Sequence, residues 1–165
     1  MKNILFPLFI LLAISITLGF TASPAMADNP LTSVSATETP VCPSHQDCTI
    51  GEWTYPNGNI HVRNWIAIYR AESSDPRLTG WNTLIVNANW NADGLGPGWG
   101  TFHNQVDAYN GYWEGTWAAS MSADGYISRI VGKGYGDLDG LAIHATEVNG
   151  VLEGVIIELS QNETH

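Results

Sequence analysis

The sequence predicts an all-β domain, an eight-stranded antiparallel up-and-down barrel. Three observations predict it. From Thr49 onward apolar residues alternate with period two, and no helical stripe is sustained. Asn57-Gly58, Asp124-Gly125 and Asn149-Gly150 supply the positive φ angles that tight hairpin turns require. The strands also follow one another without a long crossover, and closing such a meander removes its exposed edges.

The elements follow in order along the chain. Residues 1–27 read as a secretory signal: Lys2 is the positive start, Ile4 to Phe20 is apolar, and Ala25-Met26-Ala27 is a small-x-small cleavage site. A membrane anchor is the alternative, since the apolar run is nearly long enough to span, but Pro7 and the small-residue end favour cleavage. The expected mature protein begins at Asp28 and is exported, periplasmic or extracellular. No second apolar run would hold it in a membrane. Residues 28–48 read as a flexible leader, because Asp28 to Thr39 is rich in Ser, Thr, Ala and Pro. Cys42 and Cys48 are the only cysteines, and in an exported chain they are expected to form a disulfide. Over so short a loop the bond contributes about 2 kcal/mol. A metal site adding His45 or Asp47 is the alternative.

The barrel domain is placed at 49–160, with a polar tail over 161–165. Its strands are read at Ile50–Tyr55, Asn59–Ala71, Asn82–Asn91, Trp99–Val106, Tyr112–Met121, Tyr126–Lys133, Leu141–Val148 and Val151–Leu159. Alternation puts Trp113, Gly115, Trp117, Ala119 and Met121 on one face of the fifth, opposite Tyr112, Glu114, Thr116 and Ser120. Leu84, Val86, Ala88 and Trp90 oppose Thr83, Ile85, Asn87 and Asn89 in the third. Both faces of several strands are apolar, so covering loops, a partner or a homo-oligomer is expected to bury the outer one.

The chain carries 16 acidic and 6 basic residues, a formal net charge of −10. Nucleic acids and anionic membrane surfaces would be repelled by that field.

Candidate site residues fall into four groups. Asp75 and Arg77 flank Pro76 in a loop and read either as a pair at the barrel mouth or as a self-capped turn. His61, His103 and His144 lie on three strands; lacking His-x-His spacing, they make a poor metal site, and no metal is assigned. One histidine beside a carboxylate such as Glu114 would be a general acid or base. Asn87 and Asn89 would suit an oxygen-rich ligand if they faced inward. Seven tryptophans are many for this length. Core packing absorbs most of them, leaving Trp90, Trp113 and Trp117 as candidates to line a ligand cavity.

Several segments carry a resemblance: Ser74-Asp75-Pro76-Arg77-Leu78-Thr79-Gly80, Asn87-Ala88-Asn89-Trp90-Asn91, Gly96-Pro97-Gly98-Trp99-Gly100-Thr101-Phe102, Trp113-Glu114-Gly115-Thr116-Trp117 and Gly132-Lys133-Gly134-Tyr135-Gly136-Asp137-Leu138-Asp139-Gly140-Leu141. In this order they resemble uncharacterised secreted bacterial proteins with an allene oxide cyclase-like or dirigent-like barrel, a calycin-like fold. The likeness covers about Gly51 to Glu158 and rests on glycines, aromatics and turns. It implies an interior that takes an apolar molecule without metal or cofactor, and no catalytic residue is carried over. The expected function is therefore binding of a small, largely apolar molecule, with cofactor-free cyclisation or isomerisation as its enzymatic form. A cell-envelope carbohydrate-binding or interaction module using exposed tryptophans is the alternative, and a structural secreted protein is the third reading.

Overall fold

The computed structural model describes residues 30–41 and 51–159. The signal segment, the Cys42–Cys48 loop and the tail lie outside them. Among the described residues nine strands are present: β1 Leu31–Pro40, β2 Glu52–Thr54, β3 Ile60–Ser73, β4 Gly80–Trp90, β5 Gly96–Val106, β6 Gly111–Ser122, β7 Gly125–Gly136, β8 Leu141–Val148 and β9 Val151–Glu158. All pairings are antiparallel, and consecutive strands from β2 to β9 are neighbours.

The sheet is ring-like because β1 bridges its two ends. One edge of β1 pairs with β9, from Leu31↔Ile157 to Thr37↔Val151. Its other edge pairs with β3, from Ala36↔Ser73 to Pro40↔Tyr69. The short β2 takes the remaining free edge of β3, at Arg63, Val62 and His61. Closure of this kind leaves few unpaired backbone groups at sheet edges.

Strand β1 corrects the reading of 28–48 as a flexible leader. Its inner face carries only Thr32, Val34, Ala36 and Glu38, with Val34 and Ala36 buried. Small inward residues suffice where the opposite walls bring tryptophan and phenylalanine, so low hydrophobicity concealed a wall of the fold. Thr, Ser and Val at period two were the available signal. The first expected strand, Ile50–Tyr55, shortens to Glu52–Thr54, and a 3-10 turn over Pro56–Gly58 follows it.

Inner faces follow the alternation for β4 and β6: Leu84, Val86, Ala88, Trp113 and Trp117 are buried. In β3 the register shifts between Val62 and Trp65, around Asn64 at φ 52°. This bulge lets Val62 and Trp65, an odd number of residues apart, both pair with inward residues of β4, Ala88 and Val86.

One end of the ring is filled. Leu78 from the β3–β4 loop and Leu138 from the β7–β8 turn are buried in one cluster with Trp113, Ile143 and Ile156. The loop is fastened from inside: Trp113 Nε1 donates to the Arg77 carbonyl at 2.6 Å, and Asn104 Nδ2 donates to the Leu78 carbonyl at 3.0 Å. Phe102 fills the middle of the ring because Gly115 and Gly132 beside it have no side chain. A Cβ on either would stand 2.7 or 2.6 Å from its ring atoms.

Candidate functional site

The other end is open. Connections β4–β5, β6–β7 and β8–β9 surround a cup of about 620 Å³ that enters the ring. Its wall is aromatic: Trp65 and Tyr69 from β3, Trp90 from β4, Trp117 from β6, and Trp53 from β2. Trp53 sets its ring edge-on to Trp65 and to Trp90, at centroid distances of 5.5 and 6.0 Å. Such edge-to-face packing fixes these rings beyond what burial alone does. The bulge at Asn64 is what turns Trp65 into this wall.

The cup narrows into a smaller cavity of about 40 Å³ that reaches Phe102, Asn104 and Trp113. Glu38 of β1, Tyr126 of β7 and Glu147 of β8 line both spaces, so they stand at the junction. Asn82 Nδ2 donates to Glu38 Oε1 at 2.7 Å, and the Tyr126 hydroxyl donates to Glu147 Oε2 at 3.2 Å. Two carboxyls thus share an apolar interior, each held by one neutral donor.

Their protonation follows from that setting. Burial pushes the Glu147 carboxyl up to about 7, Glu38's charge adds to the rise, and the Tyr126 hydrogen bond opposes it. Glu38 is also raised by burial, against the Asn82 bond that favours its charged form. Tyr69 is pushed up to about 12 by burial and then by the charges of Glu147 and Glu38, and Tyr126 rises for the same two kinds of reason. A carboxyl poised near neutrality inside a cavity can take up or release a proton at physiological pH.

The sequence-based candidates separate by face. Trp90 and Trp117 line the cup, whereas Trp113 is 1% exposed and lines only the inner cavity. Asn87 and Asn89 point out of the ring, which corrects their assignment to a ligand. Asn87 Oδ1 accepts from the Asn64 amide, and Asn89 Oδ1 accepts from Arg63. The phase that buries Asn82, Leu84, Val86 and Ala88 forces the intervening residues outward.

Glu114 also lies outside, correcting its place among cavity residues; its Oε1 is 3.1 Å from His103 Nδ1, and both side chains are about half exposed. The expected histidine–carboxylate pair therefore exists, but on the outer surface, where His103 stacks on Tyr112 and Tyr112 on Tyr135. His61 and His144 also face outward. Among the described residues no three His, Cys, Asp or Glu gather as metal ligands would.

Asp75 and Arg77 lie at the filled end, away from the cup. Asp75 Oδ1 accepts from the Arg77 amide at 2.9 Å, and its Oδ2 accepts from the guanidinium at 2.7 Å. That guanidinium holds the Asp75 carboxyl below its ordinary range. The pair is a self-capped turn that presents Leu78 to the core, rather than a mouth for ligand.

The residues missed in the sequence are Glu38, Tyr69, Asn82, Tyr126 and Glu147. Glu147 shares the phase of Leu141, Ile143 and Ala145, and a charged residue in a buried phase was a readable signal. Comparison with protein-family models, curated proteins and solved structures finds no match for the chain.

Proposed function

We propose that this protein is an exported eight-stranded barrel, with β2 as a short addition at its rim, that binds a small, largely apolar molecule in its interior. The observation that carries the reading is the cup of about 620 Å³ with its aromatic wall. Small-molecule pockets have volumes of roughly 300–1,000 Å³ and are apolar with a few converging polar groups. Trp65, Trp90 and Trp117 supply the apolar surface; Glu38, Glu147, Tyr126 and Asn82 supply the polar groups. Sequential antiparallel strands around an interior cavity also support the likeness to allene oxide cyclase and dirigent barrels.

A cofactor-free isomerase or cyclase is the enzymatic form of the same reading. Glu147, titrating near 7, favours it, since proton transfer to a held substrate needs such a group. The carbohydrate alternative draws less support. Exposed Trp81 and Trp99 are each covered by a guanidinium, Arg70 at 5.4 Å and Arg63 at 5.6 Å, instead of offering a bare stacking row. Outside, Ile127 pairs with Val148 and Val148 with Val151, an exposed apolar strip suited to a second copy of the chain.

Native mass spectrometry of the exported protein tests the binding reading through a retained ligand. Titration with apolar molecules should shift the tryptophan emission, and Trp117→Ala should weaken that shift. No response to apolar molecules, with clear binding of an oligosaccharide, would replace the reading with the carbohydrate one.

A further inference from the structure

At the base of the cup Glu38, Glu147 and Asn82 leave more hydrogen-bond acceptors open than donors. Glu38 and Glu147 each bring two carboxylate oxygens, of which one is engaged, by Asn82 and Tyr126 respectively. Asn82 is 7% exposed, and its Oδ1, buried in the cavity lining, has no hydrogen-bond partner. Asn82 Nδ2 and the Tyr126 hydroxyl already donate to these carboxylates, whereas the Ser128 hydroxyl in the inner cavity, able to donate and to accept, is unpartnered like Asn82 Oδ1. Buried acceptors left unpaired are costly, so whatever enters must bring donors.

Charge points the same way. Among the described residues no Lys, Arg or His lines either the cup or the cavity beneath it, and the two acidic groups there have no basic partner among them. An anionic head group would be repelled there. A neutral hydroxyl has one proton for three waiting acceptors. A protonated amine has two or three, and its positive charge offsets the carboxylates in a setting where water screens little. The wall adds a further attraction, because Trp65, Trp117, Tyr69 and Tyr126 line the same space, and cations are drawn to aromatic rings.

Resting on the reading that the cup holds an apolar molecule, we propose that its ligand is a lipophilic amine: a protonated primary or secondary ammonium group seated between Glu38 and Glu147, with its apolar body against Trp65, Trp90 and Trp117. A primary ammonium donates to both carboxylates and to Asn82 Oδ1, a secondary one to the two carboxylates, and the indoles exclude water from the pair. Occupancy is then linked to the proton on Glu147. The titratable groups facing that carboxyl are Glu38 from β1, Tyr69 from β3 and Tyr126 from β7. Both tyrosines stay neutral near pH 7, so the two glutamates set the charge of the site.

The test compares decylammonium, decanol and decanoate, which share a chain and differ in the head, by calorimetric titration of the mature protein. Above the Glu147 pKa of about 7, decylammonium should bind roughly tenfold or more tightly than decanol, and decanoate more weakly than either. Glu38→Gln and Glu147→Gln should each abolish most of that preference, read as the ratio of decylammonium to decanol affinity within each variant. Amine affinity should fall as pH drops through 7, and the fall should vanish in Glu147→Gln. Equal binding of decanol and decylammonium, or glutamine variants that keep the preference, would overturn the ammonium assignment and leave the apolar cup standing. Failure of all three to bind folded protein would overturn both.

Discussion

Replacing Glu147 by glutamine removes a charge and almost no volume from the inside of the ring. The side chain is 6% exposed, and its carboxyl is raised from an ordinary 4.5 to about 7, by burial first and by Glu38 second. Between those two values the folded protein keeps a proton that the unfolded chain has released. Stability from this group is therefore fully present below about pH 4.5 and is lost as pH rises through about 7, where a buried charge must be carried. At ~1.4 kcal/mol per pH unit across that window, the loss comes to about 3 kcal/mol. Glutamine carries no such charge and can still accept the Tyr126 hydrogen bond. Glu147→Gln should match the parent protein in acid and exceed it by about 3 kcal/mol in mild alkali, roughly 10 °C in melting temperature for a domain of this size. Thermal or urea denaturation of both proteins over a pH series reads this directly. The difference between the curves reads Glu147 together with its coupling to Glu38, because the surface groups titrate alike in both. Parallel curves would refute the burial and coupling assigned to Glu147.

Four further outcomes follow from the packing. Trp113→Phe removes the Nε1 bond to the Arg77 carbonyl and should cost about 1–3 kcal/mol in a denaturant midpoint; an unchanged midpoint would contradict the internal fastening of the β3–β4 loop. Gly132→Ala places a methyl 2.6 Å from Phe102 Cζ and 2.9 Å from the Glu114 carbonyl oxygen, so a loss of about 1–3 kcal/mol is expected by the same assay. Gly150→Val forces a β-branched residue to φ +84° in the β8–β9 turn and should cost about 1 kcal/mol or more, whereas Gly94→Ala meets no atom within 4 Å and should cost less than Gly132→Ala.

Much of the strand pattern was legible because its causes are local. Leu84, Val86 and Ala88, and Trp113 and Trp117, share a face by the two-residue repeat of the strand alone. Gly125 and Gly150 stand at positive φ, as the hairpin dipeptides demand. Where the reading failed, a residue's type was weighed above its phase. The chemistry of Glu114, Asn87 and Asn89 suggests ligand contacts, although their phase opposes that of the tryptophans and leucines beside them. Glu38 closes a polar stretch that has hardly any apolar signal, so nothing local in the sequence marks it.

By itself the sequence determined the strand-and-turn order, the inward residues of the central strands and the wealth of indole in a short chain, since each depends on neighbours a few positions away. The tertiary structure alone decided that β1 lies between β9 and β3, because edge pairing matches backbone groups that every strand carries alike. It also decided that the bulge at Asn64 turns Trp65 inward. With closure came the burial of Glu38 and Glu147 in one interior, and their raised pKa values belong first to that burial: an isolated glutamate is an ordinary acid, and only the walls around this pair take its water away.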